Sequence, residues 1–134
     1  MNQEQAMSSP VKTVVVVEDE PDTAEMFAEM ARLIGMSVIK SHGGVRAIDL
    51  IAEKKPDAVL LDIMMPDVSG LEVLRYMQRD PRLSHIPVII VSAKGLPADI
   101  KTGLEAGASF YLTKPVSFVD LKRALEEATQ IAIE

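Results

Sequence analysis

Polar residues that could do chemistry together stand just after short aliphatic runs. Glu18 and Asp19 follow Thr-Val-Val-Val-Val (13–17), Asp62 follows Ala-Val-Leu-Leu (58–61), Ser92 follows Val-Ile-Ile-Val (88–91), and Lys114 comes shortly after Phe-Tyr-Leu (110–112). The set offers three carboxylates, a hydroxyl and an ammonium. Carboxylates brought together repel one another, which raises their pKa values or calls for a cation. An all-oxygen cluster suits a hard ion, and Mg²⁺ is the natural choice, with Mn²⁺ as its substitute. Mg²⁺ wants near-octahedral oxygens, accepts one or two carboxylates plus waters, and bridges to a phosphoryl oxygen. On that reading Asp19 and Asp62 are direct ligands and Glu18 acts through water. Taken alone, Glu18-Asp19-Glu20 is as well explained as an acidic loop that favours the N-terminus of a following helix. Asp62, Ser92 and Lys114 beside it turn the balance toward a site.

The elements that must position these residues are read from periodicity. Thr13–Glu18 has an all-valine centre with no polar alternation, as expected of a strand buried on both faces. A helix is predicted over Asp22–Ile34, with Met26, Phe27, Met30, Leu33 and Ile34 inward and Gly35 ending it. Met36–Lys40 is shorter and more polar, which suits an edge strand. A second helix is predicted over Gly44–Lys54, with Val45, Ile48, Ile51 and Ala52 inward. Ala58–Leu61 forms the third strand and delivers Asp62 at its carboxyl end. Ser69-Gly-Leu-Glu72 is a capping-box pattern opening a helix to about Gln78. Strand Val88–Val91, helix Pro97–Ala106, strand Phe110–Leu112 and a helix from Ser117 complete the plan. The last helix carries Leu121, Ala124, Leu125, Ala128 and Ile131 inward.

Strand and helix thus alternate five times, a (βα)5 pattern that implies a five-stranded parallel sheet in an α/β fold. Right-handed crossovers put helices on both faces, a three-layer sandwich, and place the site beyond the carboxyl ends of the strands. The flavodoxin-like order 2-1-3-4-5 belongs to this fold class and is taken from it; spacing alone does not give it.

Composition narrows the function classes. A chain of 134 residues with 48% hydrophobic content can fill one core. Its polar first ten residues, with Ser8-Ser9-Pro10, read as a flexible arm before a single domain over 11–134. Lys+Arg 14 against Asp+Glu 20 gives a net charge of −6, which disfavours nucleic acid as a partner. The absence of cysteine excludes disulfides, thiolate metal sites and cysteine nucleophiles, and is compatible with a cytoplasmic setting. Val14–Val17 is far short of the roughly 20 apolar residues of a membrane span, so no membrane association is expected. His42 and His85 lie in loop-like contexts with no second ligand spaced to join them.

Val-Val-Val-Glu18-Asp19-Glu20, Leu-Leu-Asp62-Ile-Met-Met-Pro66-Asp-Val-Ser-Gly70, Val-Ile-Ile-Val-Ser92-Ala93-Lys94 and Tyr111-Leu-Thr-Lys114-Pro115 resemble the four signature stretches of bacterial response-regulator receiver domains of the CheY-like kind. The resemblance covers about residues 12–130. It implies a stand-alone receiver of a two-component phosphorelay, whose phosphoacceptor is Asp62 and whose donor is a histidine kinase or histidine phosphotransfer protein. It further implies Mg²⁺ held by Glu18, Asp19, Asp62 and the backbone carbonyl of Met64. Ser92, Ala93 and Lys114 would bind the phosphoryl group, and Ser92 and Tyr111 would form the switch. Met64 and Lys94 would tune acyl-phosphate lifetime, hydrophobic Met64 hindering an attacking water and favouring slow hydrolysis. The Lys114–Pro115 peptide would be cis. Such a protein is not an enzyme beyond catalysing its own phosphorylation and dephosphorylation. Glu18 stands where Asp is more frequent and Ser92 where Thr is; both keep the needed oxygen. Pro66 and Gly70 are expected to shape the loop after Asp62.

The rival reading is a phosphate-independent scaffold or adaptor of the same fold. An aspartate-nucleophile phosphatase would want a second Asp where Met64 stands, and a flavin carrier would want a phosphate-cradling loop where Asp19-Glu20-Pro21-Asp22 repels one. With Glu134 the last residue, output is expected through the domain's own surface, around the fourth helix, fifth strand and fifth helix, onto a downstream target protein. The expected state is a monomer or a phosphorylation-dependent homodimer.

Overall fold

The structure is a computed structural model and describes residues 11–130; the expected N-terminal arm and the inward position of Ile131 lie outside the described residues. Strand β1 is Thr13–Val17, followed by α1 Pro21–Leu33, β2 Ser37–Ser41, α2 Ala47–Lys54 and β3 Ala58–Asp62. Then come α3 Gly70–Arg79, β4 Val88–Ser92, α4 Pro97–Glu105, β5 Phe110–Thr113 and α5 Phe118–Thr129. The strands form one sheet in the order β2-β1-β3-β4-β5, every neighbouring pair parallel. This is the doubly wound order that the fold class implied.

The unbroken valines of β1 are explained by the two layers that cover them. Val15 and Val17 join Val59, Leu61, Val88 and Ile90 on one face, under Ala47 and Ile51 of α2 and Val73, Leu74 and Met77 of α3. Val14 and Val16 join Leu60, Ile89 and Val91 on the other, under Ala24, Phe27 and Ala31 of α1 and Leu121, Ala124 and Leu125 of α5. Alternate residues of a strand point to opposite faces, so a strand covered twice must be apolar at every position.

Two helix readings need correction. The buried face of α1 is Ala24, Phe27, Ala28 and Ala31. Of the predicted stripe only Phe27 is fully buried, Met30 and Ile34 pack partly against the core, and Met26 and Leu33 face solvent. Alanines let the helix lie close to the sheet, and the larger side chains are turned to the rim. Helix α2 starts at Ala47 and not at Gly44, which leaves Val45 61% exposed ahead of the first turn. Ser69 caps α3 by accepting from Leu71 N at 3.2 Å, with Gly70 as the first helical residue. Strand ends shift by a residue: β1 stops at Val17, while β3 and β4 extend through Asp62 and Ser92 themselves.

Candidate functional site

Register places the polar residues on one edge. Val17 pairs with Leu61, Asp62 with Val91, and Ser92 with Thr113, so the carboxyl ends of β1, β3, β4 and β5 are level. Glu18 continues the β1 ladder, its N–H donating to Ser41 O at 3.0 Å. Lys114 N donates to Ser92 O at 2.8 Å, which brings the lysine stem back over the sheet edge. The Lys114–Pro115 peptide is cis.

Lys114 Nζ lies 3.0 Å from Glu18 Oε1 and 3.6 Å from Asp62 Oδ2, spanning 96 residues of chain to the first. Glu18, Asp62 and Ser92 are buried, while Lys114 is partly exposed. One oxygen from each of Glu18, Asp19 and Asp62 lies within 4.8 Å of the others. Burial pushes the Glu18 carboxyl up from the ordinary carboxylate range, and the charge of Asp62 adds to the rise, against the hydrogen bond from Lys114. Three carboxylates and one ammonium leave an acidic excess that a divalent cation would relieve, and the donor set is all oxygen. Mg²⁺ therefore fits these residues.

The remaining contacts fix the loops. Met64 N donates to Asp62 Oδ1 at 3.1 Å, and Gly70 N to Ile63 O at 2.9 Å. A Cβ on Gly70 would collide with the Asp62 carbonyl oxygen, so the start of α3 can lie against the Asp62 backbone only with glycine there. Met64 is half exposed at the mouth of the cluster. Lys94 N donates to Ser92 Oγ at 3.1 Å, and Ala93 and Lys94 are exposed on the loop leaving β4. Tyr111 donates its hydroxyl to Lys94 O at 2.6 Å, joining β5 to that loop, and burial pushes its phenol up.

The acidic-loop explanation holds for one member of Glu18-Asp19-Glu20. Glu20 Oε1 accepts from Thr23 N at 2.7 Å and from Thr23 Oγ1 at 2.9 Å, capping α1 while Glu18 turns to Lys114. Sequence reasoning missed Asp67. Its carboxylate accepts from Gly44 N at 3.2 Å, Val45 N at 3.0 Å and Val68 N at 2.7 Å, stitching the loop after β3 to the loop after β2. The signal within reach was an Asp in a Pro-Asp turn, which predicts a local bond and not one to residues more than twenty positions away. His42 lines a separate cavity of about 820 Å³ with Lys40, Arg46 and Asp49, and His85 is exposed; neither joins the carboxylates.

A family model described as the response regulator receiver domain matches residues 14–126. The polar-differentiation response regulator DivK of Brucella anthropi is 38% identical over 106 residues, 79% of this chain and 86% of DivK. The receiver domain of sensor histidine kinase PA1611 from Pseudomonas aeruginosa, solved with a magnesium ion coordinated in its active site cleft, superposes with a TM-score of 0.83 at 26% identity, covering 90% of this chain and 99% of that one. The Francisella response regulator 1452 receiver domain does so with a TM-score of 0.83 at 27% identity, covering 89% and 97%.

Proposed function

This chain belongs to the response regulator receiver domain family, whose members act in two-component signalling, and we propose that it accepts a phosphoryl group on Asp62 from a histidine kinase or histidine phosphotransfer protein and relays the signal to a target protein. One observation carries the reading. Asp62 ends β3 with its carboxylate between Lys114 Nζ and Met64 N, beside the Glu18–Asp19 acidic pair.

Asp62 attacks phosphorus in line, so that a P–O bond forms as the P–N bond to the donor imidazole breaks. Mg²⁺, or Mn²⁺ in its place, would be held by Asp19, Asp62 and the Met64 carbonyl with Glu18 behind them, and would neutralise charge on the transferred group. Lys114 makes a charge-assisted bond to one phosphoryl oxygen, exchanging part of its contact with Glu18 for it. Ser92, the last residue of β4, donates its hydroxyl to another, next to Ala93 on the loop that follows. The Tyr111–Lys94 bond ties that loop to β5, so displacement of Ser92 reaches the α4-β5-α5 surface, where the target docks. No helix among the described residues is long and apolar enough to cross a membrane, and the cytoplasm is the proposed place of action.

The test is intact mass after incubation with a small acyl-phosphate donor, with and without Mg²⁺. A single Mg²⁺-dependent phosphoryl adduct is expected for the wild type and none for Asp62→Asn. No adduct under any condition would replace this reading with the phosphate-independent scaffold.

A further inference from the structure

Away from the carboxylates, a groove of about 590 Å³ runs between α2 and α3. Its floor and walls include Val45, Ile48, Val68 and Tyr76, and its rim carries Arg75 and Arg79. Val45 is 61% and Tyr76 45% exposed, the two large apolar groups that this side of the molecule leaves in water. The delayed start of α2 is what leaves Val45 there: a residue before the first turn cannot fold inward with Ile51.

The groove is held in shape by the domain itself. Asp67 accepts from the backbone of Gly44, Val45 and Val68, all of which line it, so one carboxylate fixes its upper wall. Those bonds keep Asp67 below the ordinary carboxylate range, Val45 contributing most, so the carboxylate stays ionised at neutral pH. A wall fixed before binding lowers the ordering cost of taking up a partner.

Charge selects the partner. Arg75 and Arg79 stand four residues apart on the exposed side of α3, and neither has an ion-pair partner among the described residues, whereas Arg32, Lys40, Arg82 and Lys122 do. Like charges at that spacing weaken a helix, and a carboxylate placed between them relieves the repulsion. The groove's own Glu72 leaves it net positive on a chain of net charge −6, so an acidic ligand meets less repulsion here than over most of the surface. Tyr and Arg around an apolar recess are also the residue types that carry binding energy at interfaces.

The geometry points to the α2–α3 groove as a docking site for an acidic amphipathic helix of a partner protein, its apolar stripe on Val45 and Tyr76 and its carboxylates on Arg75 and Arg79. None of Glu18, Asp19, Asp62, Ser92 or Lys114 lines the groove, so the site is separate from the Asp62 cluster.

The probe is a displayed library of 18-residue amphipathic helices with a fixed leucine stripe and randomised polar positions, selected on the full chain and sorted against the Arg75→Glu/Arg79→Glu double variant. Enriched helices are expected to be rich in Asp and Glu, to shift the backbone amide resonances of residues 44–48 and 68–79, and to bind the double variant and Val45→Asp at least about ten-fold more weakly, the effect of roughly 1.4 kcal/mol. Unchanged circular dichroism and melting of the variants would show that they fold. No enrichment, enrichment of neutral or basic helices, or shifts confined to other faces would overturn the proposal. Concentration-dependent shifts at 44–48 and 68–79 without any peptide would overturn it in favour of self-association.

Discussion

β3 and β4 are buried at all five of their positions each, whereas β5 is only half-buried and α4 buries a single residue, Gly103. The phosphoacceptor candidate sits on the first region, and Tyr111 sits on the second. On the proposed function, the contrast separates holding from responding. A carboxylate that must be presented at fixed distance to Lys114 and Glu18 needs strands that cannot shift, while a surface that reports on it needs an element with few apolar contacts to lose.

The largest test of the difference is in the cores. Phe27→Ala, a cavity under β1 and β3, is expected to cost about 3–5 kcal/mol in urea unfolding, and Leu104→Ala on the exposed side of α4 within about 0.5 kcal/mol. Equal losses would erase the distinction. Two glycines sharpen it. A Cβ on Gly70 meets backbone, the Ile63 Cα at 2.8 Å among it, so Gly70→Ala should cost about 1–3 kcal/mol and displace the loop that carries Met64. A Cβ on Gly103 meets side-chain atoms, Ile90 Cδ1 and Tyr111 Cδ2, both at 2.8 Å. Side chains can move further than backbone, and the gain of about 1 kcal/mol in helix propensity offsets part of the crowding, so Gly103→Ala should cost less than Gly70→Ala. If Gly70→Ala proved the milder of the two, the rigid region would be misassigned.

A smaller effect separates the loops by pH. Asp67 has its folded pKa held below the unfolded value by the N–H groups of Val45, Gly44 and Val68. Its contribution to stability is present above the unfolded pKa of about 3.9 and is lost as pH falls through the folded value. The wild type should therefore lose stability below about pH 4 more steeply than Asp67→Asn, read by urea midpoints across that range. Smaller still in its effect on the fold is Met64→Asn. This half-exposed side chain is expected to shield the acyl phosphate, so the variant should show the shorter half-life with unchanged melting.

How much of this was legible in the sequence followed the same divide. The buried strands β1, β3 and β4 could be read from their aliphatic runs, and with them the positions of Glu18, Asp62 and Ser92. The face of α1 could not, because hydrophobic size misled: small alanines are what close packing on a sheet selects, and Met26 and Leu33 were free to face water. Val45 fits the apolar period and so puts the start of α2 too early, while the bonds from its N–H and that of Gly44 to Asp67 keep that segment out of the helix. A long-range side-chain bond of this kind leaves no periodic trace. Strand order came with the fold class, since spacing within one chain does not say which strands are neighbours.

The most direct test of the account is to map the adduct. After incubation with the acyl-phosphate donor and Mg²⁺, the chain is digested and the phosphorylated residue identified by fragmentation. A hydroxylamine-labile phosphoryl group on Asp62 alone is the predicted result. A phosphoryl group on Asp19, Glu18 or Ser92, with Asp62 unmodified, would contradict the assignment of Asp62 as acceptor.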